Sequence, residues 1–225
     1  MVIQDINIFN IRKLRYEYGL YLRNWKFIES LLSSLVLFAT SLLINFYAGI
    51  YALESASNSV ADIILSNIRV FDVDFIFVYG SVVLWIFVIY FLLLEPRRIP
   101  FTLKSMGLFI LVRSLFVSLT HIGPFPSHII ITPSIFLKDF TTGGDLFFSG
   151  HTGLPFLLAL IFWDSVYLRL IFMVSSFVFG VVVLLGHLHY SIDVFAAFFI
   201  TYTIYHIAEI FFAKDKKIFK LGIQT

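Results

Sequence analysis

Two short polar clusters interrupt an otherwise apolar chain, and their residue types could do chemistry. The first spans residues 144–152 and holds Gly144, Asp145, Ser149, Gly150, His151 and Thr152. The second spans residues 186–193 and holds Gly186, His187, His189, Tyr190, Ser191 and Asp193. His189 and Asp193 are four apart at the start of an apolar run, so helical spacing puts them on one face. A carboxylate placed there can hold one imidazole N–H, fix the tautomer and leave the other nitrogen to attack an electrophile. An acid within an apolar segment is also costly without a partner, which makes Asp193 a functional candidate. With His151 added from the first cluster, the set holds a nucleophile, its orienting carboxylate and a general acid. Those are the parts needed for phosphoryl transfer through a phosphohistidine. Arg113 lies in the outer half of another apolar run, where its permanent charge calls for an anion such as phosphate. Ser149, Gly150, Asp145 and Tyr190 complete a candidate phosphate-binding set, and helices opening at Gly150 and Tyr190 would add oriented N–H groups.

Each candidate has a plainer explanation. A histidine at a helix mouth is often only interfacial, and His121, His128 and His206 have no partner at a telling spacing. His187, His189 and Asp193 could hold zinc, but spacing places no third strong ligand, so no metal is expected. Arg113 could pair with a buried acid instead of a substrate.

The elements that must position these groups follow from composition. The chain has 225 residues, 60% hydrophobic and only 13% charged, with a mean hydropathy of +0.95. That is the balance of an integral membrane protein, not of a soluble domain. The absence of cysteine excludes disulfides, thiolate metal sites and a cysteine nucleophile. The net charge of +2 gives no reason to expect a nucleic-acid partner. No cleavable signal is expected, because charged and aromatic residues spread over a long stretch before the first apolar run.

Residues 1–27 mix Arg12, Lys13, Arg15, Arg23 and Lys26 with Tyr16, Tyr18, Tyr21 and Trp25, which suits an interfacial helix in the headgroup layer. Six apolar segments follow, at about 28–51, 74–94, 101–121, 150–164, 168–186 and 190–212, and the fourth is short for a crossing. Of the sixteen Lys and Arg residues, thirteen fall in the N-terminal segment, the tail and the loops on one side. The positive-inside rule then puts both termini in the cytoplasm and both His151 and His189 at the outward face. The long outward loop over residues 122–149, rich in Pro, Gly and Thr, is expected to fold over the site.

At these blocks the chain resembles the sphingomyelin synthase family, a branch of the type 2 phosphatidic acid phosphatase superfamily. The residues that carry the resemblance are the 144–152 stretch and the run His187-Leu188-His189-Tyr190-Ser191-Ile192-Asp193-Val194. A third block adds Arg97-Arg98, Gly107, Arg113, Thr120 and Pro124-Phe125-Pro126. The resemblance implies six membrane helices with an outward site. It also implies His189 as nucleophile, Asp193 as its orienting acid, and His151 as the group that protonates the leaving alkoxide and later deprotonates the incoming hydroxyl. Members move phosphocholine or phosphoethanolamine from a glycerophospholipid to ceramide and release diacylglycerol. The chain departs from the broader superfamily: Lys104 and Arg113 are nine apart, Phe148 replaces a proline before Ser149, and Val182-Val183 stand where a Ser-Arg pair would be. These departures resemble the synthase branch and remove cations that a doubly charged phosphomonoester would need.

The expected molecule is thus an all-α membrane protein. It has a basic and aromatic segment at 1–27, a six-helix catalytic domain at 28–213 and a basic cytoplasmic tail at 214–225. Its expected partners are a membrane phospholipid donor and a lipid acceptor, with no cofactor and with homo-oligomerisation left open. Interception of the same intermediate by water would make it a lipid phosphatase instead. A non-catalytic transporter or scaffold on the same fold is the third reading.

Overall fold

A computed structural model of the chain describes residues 11–129 and 146–223. The described residues form eight α-helices: α1 (Ile11–Leu22), α2 (Trp25–Glu54), α3 (Asp74–Leu94), α4 (Ile99–Leu119), α5 (Gly150–Ile161), α6 (Val166–Leu185), α7 (Ser191–Phe211) and α8 (Ala213–Leu221). A 3-10 turn at Pro96–Arg98 leads into α4. No strand occurs among the described residues. Five helical stretches are long and apolar enough to cross a bilayer: α2, α3, the turn with α4, α6 and α7. The segment expected at 150–164 is shorter than the others. At twelve residues, α5 spans only about 18 Å, against roughly 30 Å of hydrocarbon.

Local sequence explains where the helices begin. Asn24 ends α1 and caps α2, its side-chain oxygen accepting from Phe27 N at 3.2 Å. Pro96 and Pro100 occupy first-turn positions, where a missing N–H costs nothing. Polar residues within the apolar helices satisfy themselves locally: the hydroxyls of Ser105, Ser114 and Ser118 donate to the carbonyls of Phe101, Ile110 and Ser114, one turn back, at 2.8–2.9 Å.

The packing has α5 at its centre, held between α4, α6 and α7. Leu157, Leu158 and Ala159 are fully buried there, in one core with Phe109, Phe148 and Phe172. A short helix suits this place because protein, not lipid, surrounds it. Helix α2 packs along α4, and Gly107 lets the two approach: a Cβ there would lie 3.2 Å from Leu37 Cγ. Helix α3 packs on α6 instead, so α2 and α3 flank a cleft.

The stretch expected as a basic tail contains a helix. Residues 213–221 form α8, which docks on α4 and α7 through buried Phe219 and Asp215. Asp215 pairs with Lys104 at 2.8 Å and accepts from the Ser30 hydroxyl, and the ring of Phe219 packs edge-on against Phe101. An acid and an aromatic on the inner face of an otherwise basic helix are what convert a tail into a docked element. The expected interfacial segment is helical where it is described, as α1.

Gly153 provides a test of the central packing. A Cβ at this position would lie 2.7 Å from Phe109 Cζ and 2.8 Å from Thr201 Oγ1, and both neighbours are fully buried. Gly153→Val should therefore destabilise the protein by about 1–3 kcal/mol through overpacking, read as a lower midpoint of thermal unfolding in detergent. Gly19→Ala, where an added Cβ would meet nothing within 4 Å, should leave that midpoint unchanged or raise it slightly, since alanine favours a helix over glycine.

Candidate active site

Helices α5 and α7 both begin at the same end of the bundle, and a backbone hydrogen bond joins their starts. Ser149 N donates to Asp193 O at 3.1 Å. The two polar clusters, some forty residues apart in sequence, therefore meet at the point where each opens its helix. The third block joins them. Tyr190 Oη donates to Gly123 O at 2.8 Å, and the Phe125 ring lies edge-on to His187 and Tyr190 at 5.3 and 6.0 Å.

Asp193 is 1% exposed, and its Oδ2 serves two donors. It accepts from Tyr190 N at 3.1 Å and faces His189 Nδ1 at 3.3 Å. The first contact caps the helix, as an acid in the first turn does. The second gives His189, itself only 6% exposed, a proton on Nδ1 and a lone pair on Nε2. One carboxylate thereby starts the helix and orients the imidazole.

Arg113 is also buried at 6% exposure. Its Nε donates to Phe148 O at 3.2 Å, and one terminal nitrogen lies 3.4 Å from Asn45 Oδ1. Gly150 gives the guanidinium room, since a Cβ there would lie 3.3 Å from Arg113 Nε. The cation thus sits beside the first turn of α5, next to the helix N-terminus. His151 packs its ring over Phe77 at 4.1 Å and near Phe179 at 6.0 Å.

Arg113, Asn45, Gly150 and His151 line the polar end of a cavity of about 190 Å³ within the cleft that α2 and α3 flank. Leu84, Trp85 and Phe179 are among its apolar walls. A polar mouth continued by an apolar wall suits a lipid, whose phosphate and acyl chains need the two kinds of surface side by side. His189 is not among the lining residues. It is linked to the start of α5 through Asp193, by the Ser149–Asp193 bond.

Two of the expected phosphate ligands already have other roles. Ser149 is fully buried and caps α5, its Oγ accepting from Thr152 N at 3.4 Å. Tyr190 gives its N–H to Asp193, and its hydroxyl also accepts from Val60 N at 3.2 Å. Gly144 and Asp145 lie outside the described residues, as does most of the loop expected to fold over the site. The Arg97-Arg98 pair sits at the other end of α4, roughly 22 Å from Arg113 along the helix. There Arg98 pairs with Glu95 at 2.7 Å and lies 5.3–5.4 Å from the rings of Phe91, Phe162 and Phe219. No group of three or more potential metal ligands occurs among the described residues.

Two residues at the site carry little signal in the sequence. Asn45 stands out only as an amide in the apolar run of α2. Asp62 reads as one of three loop acids, yet it is 7% exposed and holds α7 in place: its Oδ2 accepts from Ser191 N at 2.7 Å. Its Oδ1 accepts from Ile64 and Leu65 N at 2.9 and 3.0 Å. Burial alone would raise its pKa, but the N–H groups of Leu65, Ser191 and Ile64 outweigh burial and hold the carboxyl below the usual carboxylate range. His187 lies on the same loop face in a left-handed conformation, φ +52°, with Nδ1 2.7 Å from the Ser127 hydroxyl. Burial pushes its pKa down, opposed by the Asp62 charge.

A carboxyl with a lowered pKa contributes stability that is complete above its unfolded pKa of about 4 and is lost as pH falls through the folded value. Asp62→Ala should cost about 1.5–3 kcal/mol at pH 7, the worth of hydrogen bonds to a charged acceptor. Thermal unfolding across pH should show the gap between variant and parent narrowing as pH falls through and below the ordinary carboxylate range; a gap independent of pH would show that the charge does not hold α7.

Residues 142–210 match the family model described as PAP2 superfamily C-terminal. No curated protein and no solved structure matches the chain significantly. The matched residues contain His151, His189 and Asp193, while Arg113 and the block at 97–126 lie before them. The match supports the type 2 phosphatidic acid phosphatase superfamily for the C-terminal part of the chain, and with it an enzyme acting on phosphorylated lipids.

Proposed function

We propose that the protein is a membrane-embedded lipid phosphotransferase, which moves a phosphocholine or phosphoethanolamine headgroup from a glycerophospholipid to the hydroxyl of ceramide or a similar lipid. The observation that carries this reading is the junction at Ser149 N and Asp193 O, which brings the His151 turn against the His189–Asp193 pair. In the proposed reaction His189 Nε2 attacks phosphorus, forming a P–N bond as the P–O bond to diacylglycerol breaks. His151, as imidazolium, gives its proton to the leaving alkoxide. In the second half His151 takes the acceptor's hydroxyl proton, the acceptor oxygen attacks phosphorus and the P–N bond breaks. Asp193 keeps the Nδ1 proton in place and balances the positive charge on the phosphorylated imidazole. Arg113 and the N-terminus of α5 stabilise the charge on the non-bridging oxygens. No metal or organic cofactor enters the scheme.

Charge favours a phosphodiester substrate. Arg113 is the one permanent cation among the described residues lining the cavity. Lys104 is paired with Asp215 at the far end of α4, and Val182 and Val183 are buried apolar residues. A singly charged headgroup needs less compensation than a doubly charged phosphomonoester. The bias of basic residues toward one end supports six crossings with cytoplasmic termini and an active site at the periplasmic, extracellular or luminal face.

The second reading is a lipid phosphatase acting on phosphatidic acid-type substrates, favoured by the family match itself. In that case water takes the acceptor's place in the second half-reaction.

The purified protein in lipid, given fluorescent ceramide with phosphatidylcholine and phosphatidylethanolamine, should yield a ceramide bearing the phospho-headgroup together with diacylglycerol. Free phosphate or free phosphocholine in place of that product would make it a hydrolase. His189→Ala should abolish either activity in a folded protein, and retained turnover would overturn the assignment. His151→Ala should lower the rate at least about 100-fold, the contribution of a general acid and base.

A further inference from the structure

A second cavity lies at the opposite end of the bundle from His151 and His189, about 30 Å away along α7. Its volume is about 930 Å³, and it is formed where the α1–α2 junction, the start of α4 and α8 come together. Arg23, Lys26, Lys104, Lys214 and Lys217 line it, against the two carboxylates Glu29 and Asp215, which leaves an excess of three positive charges. Lys104 is neutralised by Asp215 at 2.8 Å. Arg23, Lys26, Lys214 and Lys217 make no ion pair among the described residues, although all four face one space, Arg23 from the α1–α2 junction, Lys26 from α2 and the other two from α8.

We propose that this cavity binds the headgroup of an anionic phospholipid in the membrane leaflet at the basic end of the bundle. Unpaired cations converging from separate elements repel one another unless an anion sits among them. The depth of the cavity identifies the source of that anion. Trp25 lines it and is 72% exposed, and exposed Tyr16 lies on adjoining α1; such aromatics sit at headgroup level. Directly inward on α2, Leu32, Leu35, Val36 and Leu43 form an exposed apolar face along which acyl chains can lie. A phosphate in the cavity therefore has an apolar track leading from it into the bilayer, as basic pockets at the ends of membrane helices use. The site is separate from the candidate active site and does not depend on the reaction assigned there.

The test uses the full-length protein in nanodiscs of phosphatidylcholine with or without phosphatidylglycerol. Amine-reactive labelling mapped by mass spectrometry should show Lys26, Lys214 and Lys217 protected several-fold by phosphatidylglycerol, relative to Lys220, which does not line the cavity. Equal protection of Lys220 would mean bulk surface charge and would overturn the proposal. Protection by millimolar glycerol phosphate in phosphatidylcholine discs would also overturn it, in favour of a soluble anion. In the combined variant Arg23→Gln, Lys26→Gln, Lys214→Gln and Lys217→Gln, the preference for phosphatidylglycerol over phosphatidylcholine retained on detergent extraction should fall at least about tenfold. Undiminished preference in that variant would place lipid selection elsewhere. The labelling reads the unaltered chain, so a variant that fails to fold does not decide the outcome.

Discussion

Asp193 carries a charge into a bundle that lipid and apolar side chains would otherwise close. A carboxylate with almost no exposure must be fully satisfied by donors. Here those donors are Tyr190 N, which fixes where α7 begins, and His189 Nδ1, which fixes the tautomer of the candidate nucleophile. The carbonyl of the same residue accepts from Ser149 N and sets where α5 begins. Ordering one acid therefore positions two helix N-termini and two histidines together. Asp62 repeats the arrangement one residue away, holding Ser191 N from the loop between α2 and α3.

Helix α5 shows the cost and the benefit of this arrangement. At twelve residues it cannot cross the bilayer alone, and the flanking helices supply the burial that lipid would give a longer span. In return its N-terminus, with Gly150 against Arg113, lies within the protein beside a buried cation. Electrostatic interactions strengthen there as the local dielectric falls. The opposite end of the molecule solves a similar problem with the reverse sign. Asp215 and Phe219 dock a basic helix, and four cations are left facing a cavity.

Much of the fold is legible in the sequence because apolar runs in a membrane protein are long and leave few alternatives. Residues 74–94 match α3 to the residue, and the segments expected at 168–186 and 190–212 match α6 and α7 within two residues at either end. The docking of residues 213–221 is harder to read in the sequence, because the lysines hide the one face on which Asp215 and Phe219 point inward. Asn45 and Asp62 escape a sequence reading for a related reason. Their importance comes from the partners they meet, Arg113 and Ser191, which are 68 and 129 positions away.

By itself the sequence determined that this is a helical membrane protein and that His189 and Asp193 share a face, because composition and a spacing of four act locally. It also named His151 and Arg113 as candidates, since ionisable groups are rare in such a chain. Only the tertiary structure decided that the two histidine clusters join through Ser149 and Asp193, and that Arg113 lies against Gly150. It alone decided that Ser149 and Tyr190 serve as caps and ties, and that Lys104 pairs with Asp215. These are contacts between distant segments, set by which helix packs on which, and no local pattern carries that information.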